Sequence, residues 1–390
     1  MKKLTNPNFI YICTFIIPFF VYTLGWSSIY PALTSKLFGF YIVTFSIAFL
    51  TGIVIDRLTG FVYHPIPIYK HNLAVIICLY LLYCLDFWYT GFVPMFAYSG
   101  GQAGFREFKI GIPTFHVVLV TFTIFFSLYL FHQYLSHRKW SLLLLYISSF
   151  GFFVMLLERS SIMYIFIGSI FLFFISQKRI FIKKIIGLGV LSLFILYMFG
   201  YLGNMRSTLG DPEVIPRMSG ATDKFMDSRI PKEYYWSYLY IASPVANLQN
   251  NINLETNVVP NYAGFLVFEM IPDFAAKRLA DLFSVAPREF QQILPWLNVG
   301  TIYALPFSYL SWAGVLIIFF YLMLLMNSYY LIIRKSFNYG AVGLAMMFCV
   351  ISLANFANSI SFSAFSFPLF YPFLFSIIRG LRKKGGKITA

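Results

Sequence analysis

Long apolar runs follow one another along this chain, each of about 17–25 residues, which is the length that crosses the hydrocarbon core of a bilayer. The runs are continuous and do not alternate between apolar and polar residues, so they favour helices over the strands of a barrel. The pattern predicts ten spans, at about residues 8–25, 39–55, 72–92, 114–133, 141–157, 161–177, 185–202, 308–333, 338–357 and 361–379.

One long polar stretch interrupts this series between the seventh and eighth spans. Eight prolines divide it, and aromatic pieces such as 234–240 and 262–268 lie between them, which is typical of short helices at a membrane interface. We therefore predict an all-α, polytopic membrane helical bundle. Residues 1–202 form transmembrane helices 1–7, residues 203–307 a large periplasmic loop with short interfacial helices, and residues 308–390 helices 8–10 and a basic cytoplasmic tail.

Composition and charge support a membrane protein and give it an orientation. The chain is 59% hydrophobic and only 11% charged, whereas soluble domains are about 25% charged. The net charge of +15 is spread over short loops, which indicates cytoplasmic loops and no nucleic-acid partner. With the N-terminus inside, the predicted inner segments carry 17 of the 29 basic residues and the short outer loops only four. Both termini are therefore expected in the cytoplasm and the long loop outside.

Arginine is the most prominent chemical group on the predicted outer face. Its planar guanidinium grips phosphate through two hydrogen bonds and keeps its charge at all relevant pH values. Arg159 joins the fifth and sixth spans almost without a loop, and Arg206 follows the seventh span directly. Each could instead be a structural side chain, with Arg159 paired to Glu158. Arg106 also belongs to this face, and the remaining arginines of the long loop could equally be solvated loop charges: Arg217, Arg229, Arg278 and Arg288.

Carboxylates offer proton acceptors, but the sequence leaves the choice open. Asp86 lies inside the third span, where a charged group indicates either a substrate pathway or a hydrogen bond between helices. The long loop contains no histidine, so a general base from this loop would be the carboxylate of an aspartate or glutamate. Its candidates are Asp211, Glu213, Asp223, Asp227 and Glu233. No phosphate-binding glycine loop, dinucleotide fingerprint or zinc-protease motif occurs, so a transfer reaction would need an activated donor.

Four short motifs together resemble the Wzy-type O-antigen polymerases, which join oligosaccharide repeat units of bacterial surface polysaccharides. They are the Arg-Ser-Ser hairpin at 159–161, the start of the long loop at Arg206, residues 240–248, and the stretch 298–303 that leads to Trp312-Ala313-Gly314.

The resemblance implies a membrane glycosyltransferase in the bacterial inner membrane. Its substrate would be an oligosaccharide linked to undecaprenyl pyrophosphate, its partners membrane lipid and a chain-length regulator protein, and it would need no metal or cofactor. Loop arginines are the usual functional residues of the family. We expect Arg159, Arg206 and Arg288 to be catalytic, and Arg217, Arg229, Arg278, Asp211 and Asp86 to bind substrate.

Two other activities remain as alternatives. An O-antigen ligase would move the finished chain to another acceptor, but that family's large loop carries a histidine that this loop lacks. A flippase of lipid-linked oligosaccharide would more often show internal repeats and no large loop.

Overall fold

The computed structural model describes residues 5–99, 110–177, 182–207, 210–254 and 258–385, and every regular element in these ranges is a helix. The first half of the chain forms eight helices. They are α1 (Pro7–Thr23), α2 (Ser35–Leu58), α3 (Asn72–Thr90), α4 (Pro94–Ser99), α5 (Phe115–His137), α6 (Trp140–Leu156), α7 (Arg159–Ser176) and α8 (Ile182–Ser207).

The second half begins with shorter elements and ends with three longer helices. They are α9 (Val214–Met218), α10 (Asp223–Met226), α11 (Tyr234–Leu254), α12 (Tyr262–Phe265), a π-helical turn (Leu266–Met270), α13 (Asp273–Phe283), α14 (Ala304–Ile333), α15 (Gly340–Leu353), α16 (Ser363–Ser366), a 3₁₀ turn (Phe367–Leu369) and α17 (Phe370–Gly385).

Five of the described helices are long and apolar enough to cross a membrane: α2, α3, α5, α7 and α14. Five shorter apolar helical stretches accompany them within the described residues, at Pro7–Thr23, Trp140–Leu156, Gly189–Met205, Gly340–Leu353 and Ser363–Arg379. The prediction of an all-helical, multi-pass membrane protein is confirmed. Crossing by all ten segments, and the orientation of the termini, stay predictions.

The helix ends meet at two opposite faces. One, which we call the basic face, carries Arg57 in the last turn of α2, Arg138 after α5 and Arg334 after α14. There Asn8 on α1 donates to Asn327 on α14 at 2.7 Å. At the other, residues 210–254 and 258–303 form a cap. The Ser27 hydroxyl donates to the Ser219 carbonyl of the cap at 2.9 Å. Polar contacts therefore fasten both ends of an apolar bundle.

The longest cap helix differs from the short interfacial pieces that the sequence predicts. Helix α11 runs for 21 residues through Pro244 and is mostly buried between α1, α8 and α14. The Trp236 indole donates to Asn204 of α8 at 2.7 Å, and a Cβ added to Gly200 would lie 1.9 Å from the Glu233 carbonyl oxygen. Close packing on several sides compensates for the backbone hydrogen bond that Pro244 removes.

Two buried asparagines of α11 hold an irregular segment of the cap inside the protein. Asn247 donates to the carbonyls of Leu297 (2.7 Å) and Val299 (2.8 Å) and accepts from the Ile293 amide (3.0 Å). Asn251, one turn later, exchanges two 2.8 Å hydrogen bonds with the Gln291 backbone. These side chains replace the backbone partners that a helix or sheet would supply. They also join the 240–248 and 298–303 motifs.

Helix α14 is broken near its start. Leu310 and Ser311 have non-helical backbone angles, with φ +53° at Ser311. A Cβ on Gly314 would lie 2.2 Å from the Pro306 carbonyl oxygen, although eight residues of unbroken helix would separate the two by about 12 Å. The first turns of α14 therefore fold back against its long remainder, and only glycine fits at position 314.

Asn247→Ala should destabilise the protein severely, because one buried and two part-buried backbone groups lose a hydrogen-bond partner, at about 1–3 kcal/mol for a fully buried group. We expect low yield and a clearly lower thermal unfolding midpoint in detergent. Asn250→Ala is the matched control, since Asn250 is half-buried on the same helix and no hydrogen bond joins its side chain to a described residue. Equal midpoints for the two variants would contradict the role of Asn247.

Candidate functional site

A carboxylate–imidazole pair lies where α3 and α5 reach the cap. Asp86 is fully buried, and its Oδ2 is 2.6 Å from Nδ1 of His116, whose side chain is 17% exposed. The other carboxylate oxygen accepts the Ile112 amide at 2.8 Å. In the tautomer whose Nδ1–H donates to Asp86, Nε2 of His116 carries the lone pair that can accept a proton. The pair thus has the arrangement of an oriented general base.

The loop before α5 is shaped around this pair. Gly111 has φ +79°, and a Cβ there would lie 2.5 Å from His116 Nδ1 and 2.6 Å from Asp86 Oδ2. Its amide donates to the Thr90 hydroxyl at 2.9 Å. Thr114 also has a positive φ, +69°, which is unusual for a residue with a branched Cβ. Such strain clusters at functional sites, and here it directly precedes His116.

The cap places an arginine against the loop that precedes His116. Arg278 on α13 is exposed, and its Nη2 donates to the Thr114 hydroxyl at 3.4 Å. Helix α13 is anchored at its start, where the Asp273 amide donates to the Ser361 carbonyl at 2.7 Å and the Asp273 carboxylate accepts from the Ser363 hydroxyl and amide. Of the predicted site residues, Asp86 and Arg278 therefore both contact the loop before α5, Asp86 at the Ile112 amide and Arg278 at Thr114.

Arg159 lies at the same end of the bundle, as the first residue of α7, and its side chain is exposed. The proposed pairing with Glu158 is absent from the described ion pairs, because Glu158 instead accepts from the Ser161 hydroxyl at 2.8 Å. Further along α7, the Tyr164 hydroxyl donates to the Phe365 carbonyl of α16 at 3.2 Å. Since α16 also contacts α5, the α7 and α5 N-termini border one region of the cap side.

A second acidic residue of the cap, Glu269, is buried in a π-helical turn. It is 1% exposed, and Asn358 donates to its side chain at 2.9 Å and to its backbone carbonyl at 2.8 Å. Burial raises the pKa of the Glu269 carboxyl from 4.5 to about 7, while the Asn358 hydrogen bond acts in the opposite direction. Single π-helical turns are frequent at functional sites, and this carboxyl changes charge near neutral pH.

Arg288 anchors the broken start of α14. Its guanidinium donates to the backbone carbonyls of Ser308 and Val259, the latter at 2.9 Å, and lies 5.5 Å from the centre of the Tyr309 ring. Its amide donates to the Tyr309 hydroxyl at 2.7 Å. A guanidinium has five N–H donors, so others remain for a ligand, but the observed contacts are structural.

The remaining predicted site residues lie elsewhere. Arg217 pairs with Glu213, and Asp211 accepts the Glu213 amide at 2.9 Å, so these charges serve the local α9 turn. Arg229 is exposed after α10, in the part of the cap that rests on the α1–α2 connection. Arg206 falls in the last turn of α8, and its side chain lies outside the described part of the structure, as does all of Arg106.

His116 is the residue that the sequence analysis misses most clearly. His116 lies near the start of α5, and Asp86 lies near the end of α3. The sequence could have indicated their contact only through this similar depth in two consecutive spans. Glu269 and Asn358 carried no comparable signal, because their contact joins residues 89 positions apart.

No group of three or more histidine, cysteine, aspartate or glutamate residues suited to a metal ion occurs among the described residues. Comparison with protein families, characterised proteins and solved structures finds no match to this chain.

The buried Glu269 should make stability pH-dependent. The pKa of Glu269 is higher in the folded protein than in the unfolded chain, so the folded state binds the proton more tightly. The stabilisation that this proton gives the folded state is therefore complete below pH 4.5. Stability then falls as the pH rises to about 7, by up to about 3 kcal/mol. Glu269→Gln should remove this fall when unfolding is measured from pH 5 to pH 8.

Glu289→Gln, at an exposed carboxyl of the same cap, serves as the control and should follow the parent curve. Unchanged pH dependence in the Glu269→Gln protein would mean that Glu269 is ionised throughout this range.

Proposed function

We propose that the chain is a lipid-linked repeat-unit polymerase, which joins oligosaccharide units carried on undecaprenyl pyrophosphate into O-antigen or a related surface polysaccharide. The Asp86–His116 pair, with the Arg278 guanidinium beside Thr114, is the observation that carries this proposal. A base and a cation lie together at the capped end of a membrane bundle. The base can take the proton of the acceptor hydroxyl, and the cation can stabilise the negative charge of the departing pyrophosphate.

In the proposed reaction, the sugar hydroxyl of one lipid-linked unit attacks the anomeric carbon that links the growing chain to its carrier. Nε2 of His116 accepts the hydroxyl proton while a new C–O bond forms. The old bond between the anomeric carbon and the pyrophosphate oxygen breaks, and undecaprenyl pyrophosphate leaves as an anion. Asp86 holds the imidazole orientation and stabilises its protonated form.

Arg278 and Arg159 supply the positive charge for the leaving group. Both guanidinium groups are exposed near the N-termini of long helices, α5 and α7. Helix N-termini carry a partial positive charge of their own. Fixed donors aimed at a developing negative charge can replace a metal ion in this role. Arg288 is assigned a positioning role, because it holds the α14 hairpin against the cap.

The membrane and the orientation are part of the same proposal. The cap would face the periplasm of a bacterial inner membrane, where flipped lipid-linked units are available, and both termini would lie in the cytoplasm. The excess of basic residues in the short loops of the opposite face supports this orientation.

Deletion of the gene distinguishes this activity from its two rivals. Loss of a polymerase should leave the surface glycolipid acceptor with a single repeat unit, because the first unit still crosses the membrane and is transferred. A gel of surface glycolipid from the deletion strain, with and without the restored gene, reads this directly. Long polymer left on the carrier lipid would indicate a ligase, and a surface without any repeat unit would indicate a flippase.

Variants test the site within this assay. Arg278→Lys and Arg159→Lys should lower polymerisation about ten- to a hundredfold, because lysine lacks the planar fork. His116→Gln should cost about a hundredfold or more, through loss of the base. Arg57→Lys is the matched control, since Arg57 is an exposed arginine in the last turn of α2, outside the cap. Full-length polymer from an abundant His116→Gln protein would remove His116 from the mechanism.

A further inference from the structure

A large groove opens on the other side of the molecule, toward the basic face. It has a volume of about 930 Å³, and its apolar wall includes one stripe of α5, formed by Phe122, Phe125, Phe126 and Tyr129. These positions are spaced at i, i+3, i+4 and i+7, so they share one helix face. Over about 10 Å the stripe runs from mid-helix toward the basic face. The groove lies away from the Asp86–His116 pair.

Hydrogen bonds fix the wall of the groove at its polar end. The Tyr69 amide donates to Oε1 of Gln133 at 2.7 Å, and the Asn72 side chain donates to the same oxygen at 2.8 Å. His137 bonds to the Ile66 carbonyl at 2.7 Å. The segment before α3 is thereby held against the end of α5, and these contacts define one wall of the groove.

The groove closes toward the cap. The Tyr371 hydroxyl of α17 bonds to Thr121 at 3.0 Å and to the Val118 carbonyl at 3.0 Å, immediately beyond Phe122. The Tyr371 and Phe122 rings meet edge to face, 5.4 Å apart. An occupant therefore enters from the half of the bundle near the basic face. Its apolar part reaches no further toward the cap than the contact between Tyr371 and Phe122.

The polar end of the groove is cationic and contains an unused acceptor. Lys70, His71 and Arg379 line it, and no acidic residue occurs among the described residues that do so. Asn338 also lines it and is only 4% exposed, yet its Oδ1 has no hydrogen-bond partner among the described residues. A buried amide oxygen without a donor costs free energy, so a ligand that supplies both a negative charge and a hydroxyl fits this end.

We propose that this groove binds one anionic phospholipid from the leaflet at the basic face, with its phosphate at Lys70 and Arg379. A headgroup hydroxyl would donate to Asn338, and an acyl chain would lie along the aromatic stripe of α5. Phosphatidylglycerol has all three features. This site is separate from the proposed polymerisation and does not depend on it.

The test uses the full chain, purified in mild detergent, and counts bound lipid by native mass spectrometry. Phosphatidylglycerol should bind once per chain and more tightly than phosphatidylcholine with the same acyl chains. Lys70→Gln and Arg379→Gln should each weaken its binding about fivefold, and about thirtyfold together, as expected for basic groups near a lipid phosphate. Asn338→Leu should weaken phosphatidylglycerol binding but leave that of phosphatidylethanol unchanged, because its anionic headgroup has no hydroxyl.

Lys139→Gln with Lys335→Gln is the matched control, because both lysines are exposed on the basic face but do not line the groove. It should leave binding unchanged, and thermal unfolding should show that every variant is folded. Glycerol phosphate at the same concentration should displace none of the lipid. Displacement by glycerol phosphate, equal binding of both phospholipids, or equal weakening in the control variant would overturn the proposal.

Discussion

Backbone that leaves the helical conformation inside a membrane bundle must find its hydrogen-bond partners within the protein. In this chain the requirement falls on the segment before α14, and Asn247 on the buried helix α11 meets much of it through three backbone hydrogen bonds. Arg288 does the same for the α14 hairpin from the opposite side. The irregular cap can therefore have a fixed shape although it lacks a sheet or a soluble core.

A fixed cap gives the proposed chemistry its geometry. The contact between Arg278 and Thr114 depends on the anchored start of α13, and the imidazole of His116 depends on Asp86 and on the space that Gly111 leaves. The positions of His116 on the bundle and Arg278 on the cap are thus fixed by separate sets of contacts. In the proposed reaction, this division positions the two groups with contacts of the bundle and the cap alone.

The sequence predicts the helices well because an apolar run long enough to cross a membrane has few other structures available. It fails at α11, whose proline, tyrosines and asparagines indicate surface pieces. The burial of Asn247 and Asn251 could not be predicted, because the carbonyls of Leu297 and Gln291 to which they donate lie 50 and 40 positions away. The same limit applies to the site. Asp86 was recognisable as a charge inside a span and Arg278 only as one of several loop arginines, whereas the His116 contact depends on how α3 and α5 are aligned.

Purified protein offers the most direct test of the central claim, that a base at His116 and a cation at Arg278 polymerise lipid-linked units. The protein would be given a defined oligosaccharide on undecaprenyl pyrophosphate, and products would be separated by length. The account predicts a ladder of polymer and release of undecaprenyl pyrophosphate in equal number to the bonds formed, with both lost together in His116→Gln. Release without polymer, or an unchanged ladder from folded His116→Gln protein, would contradict it.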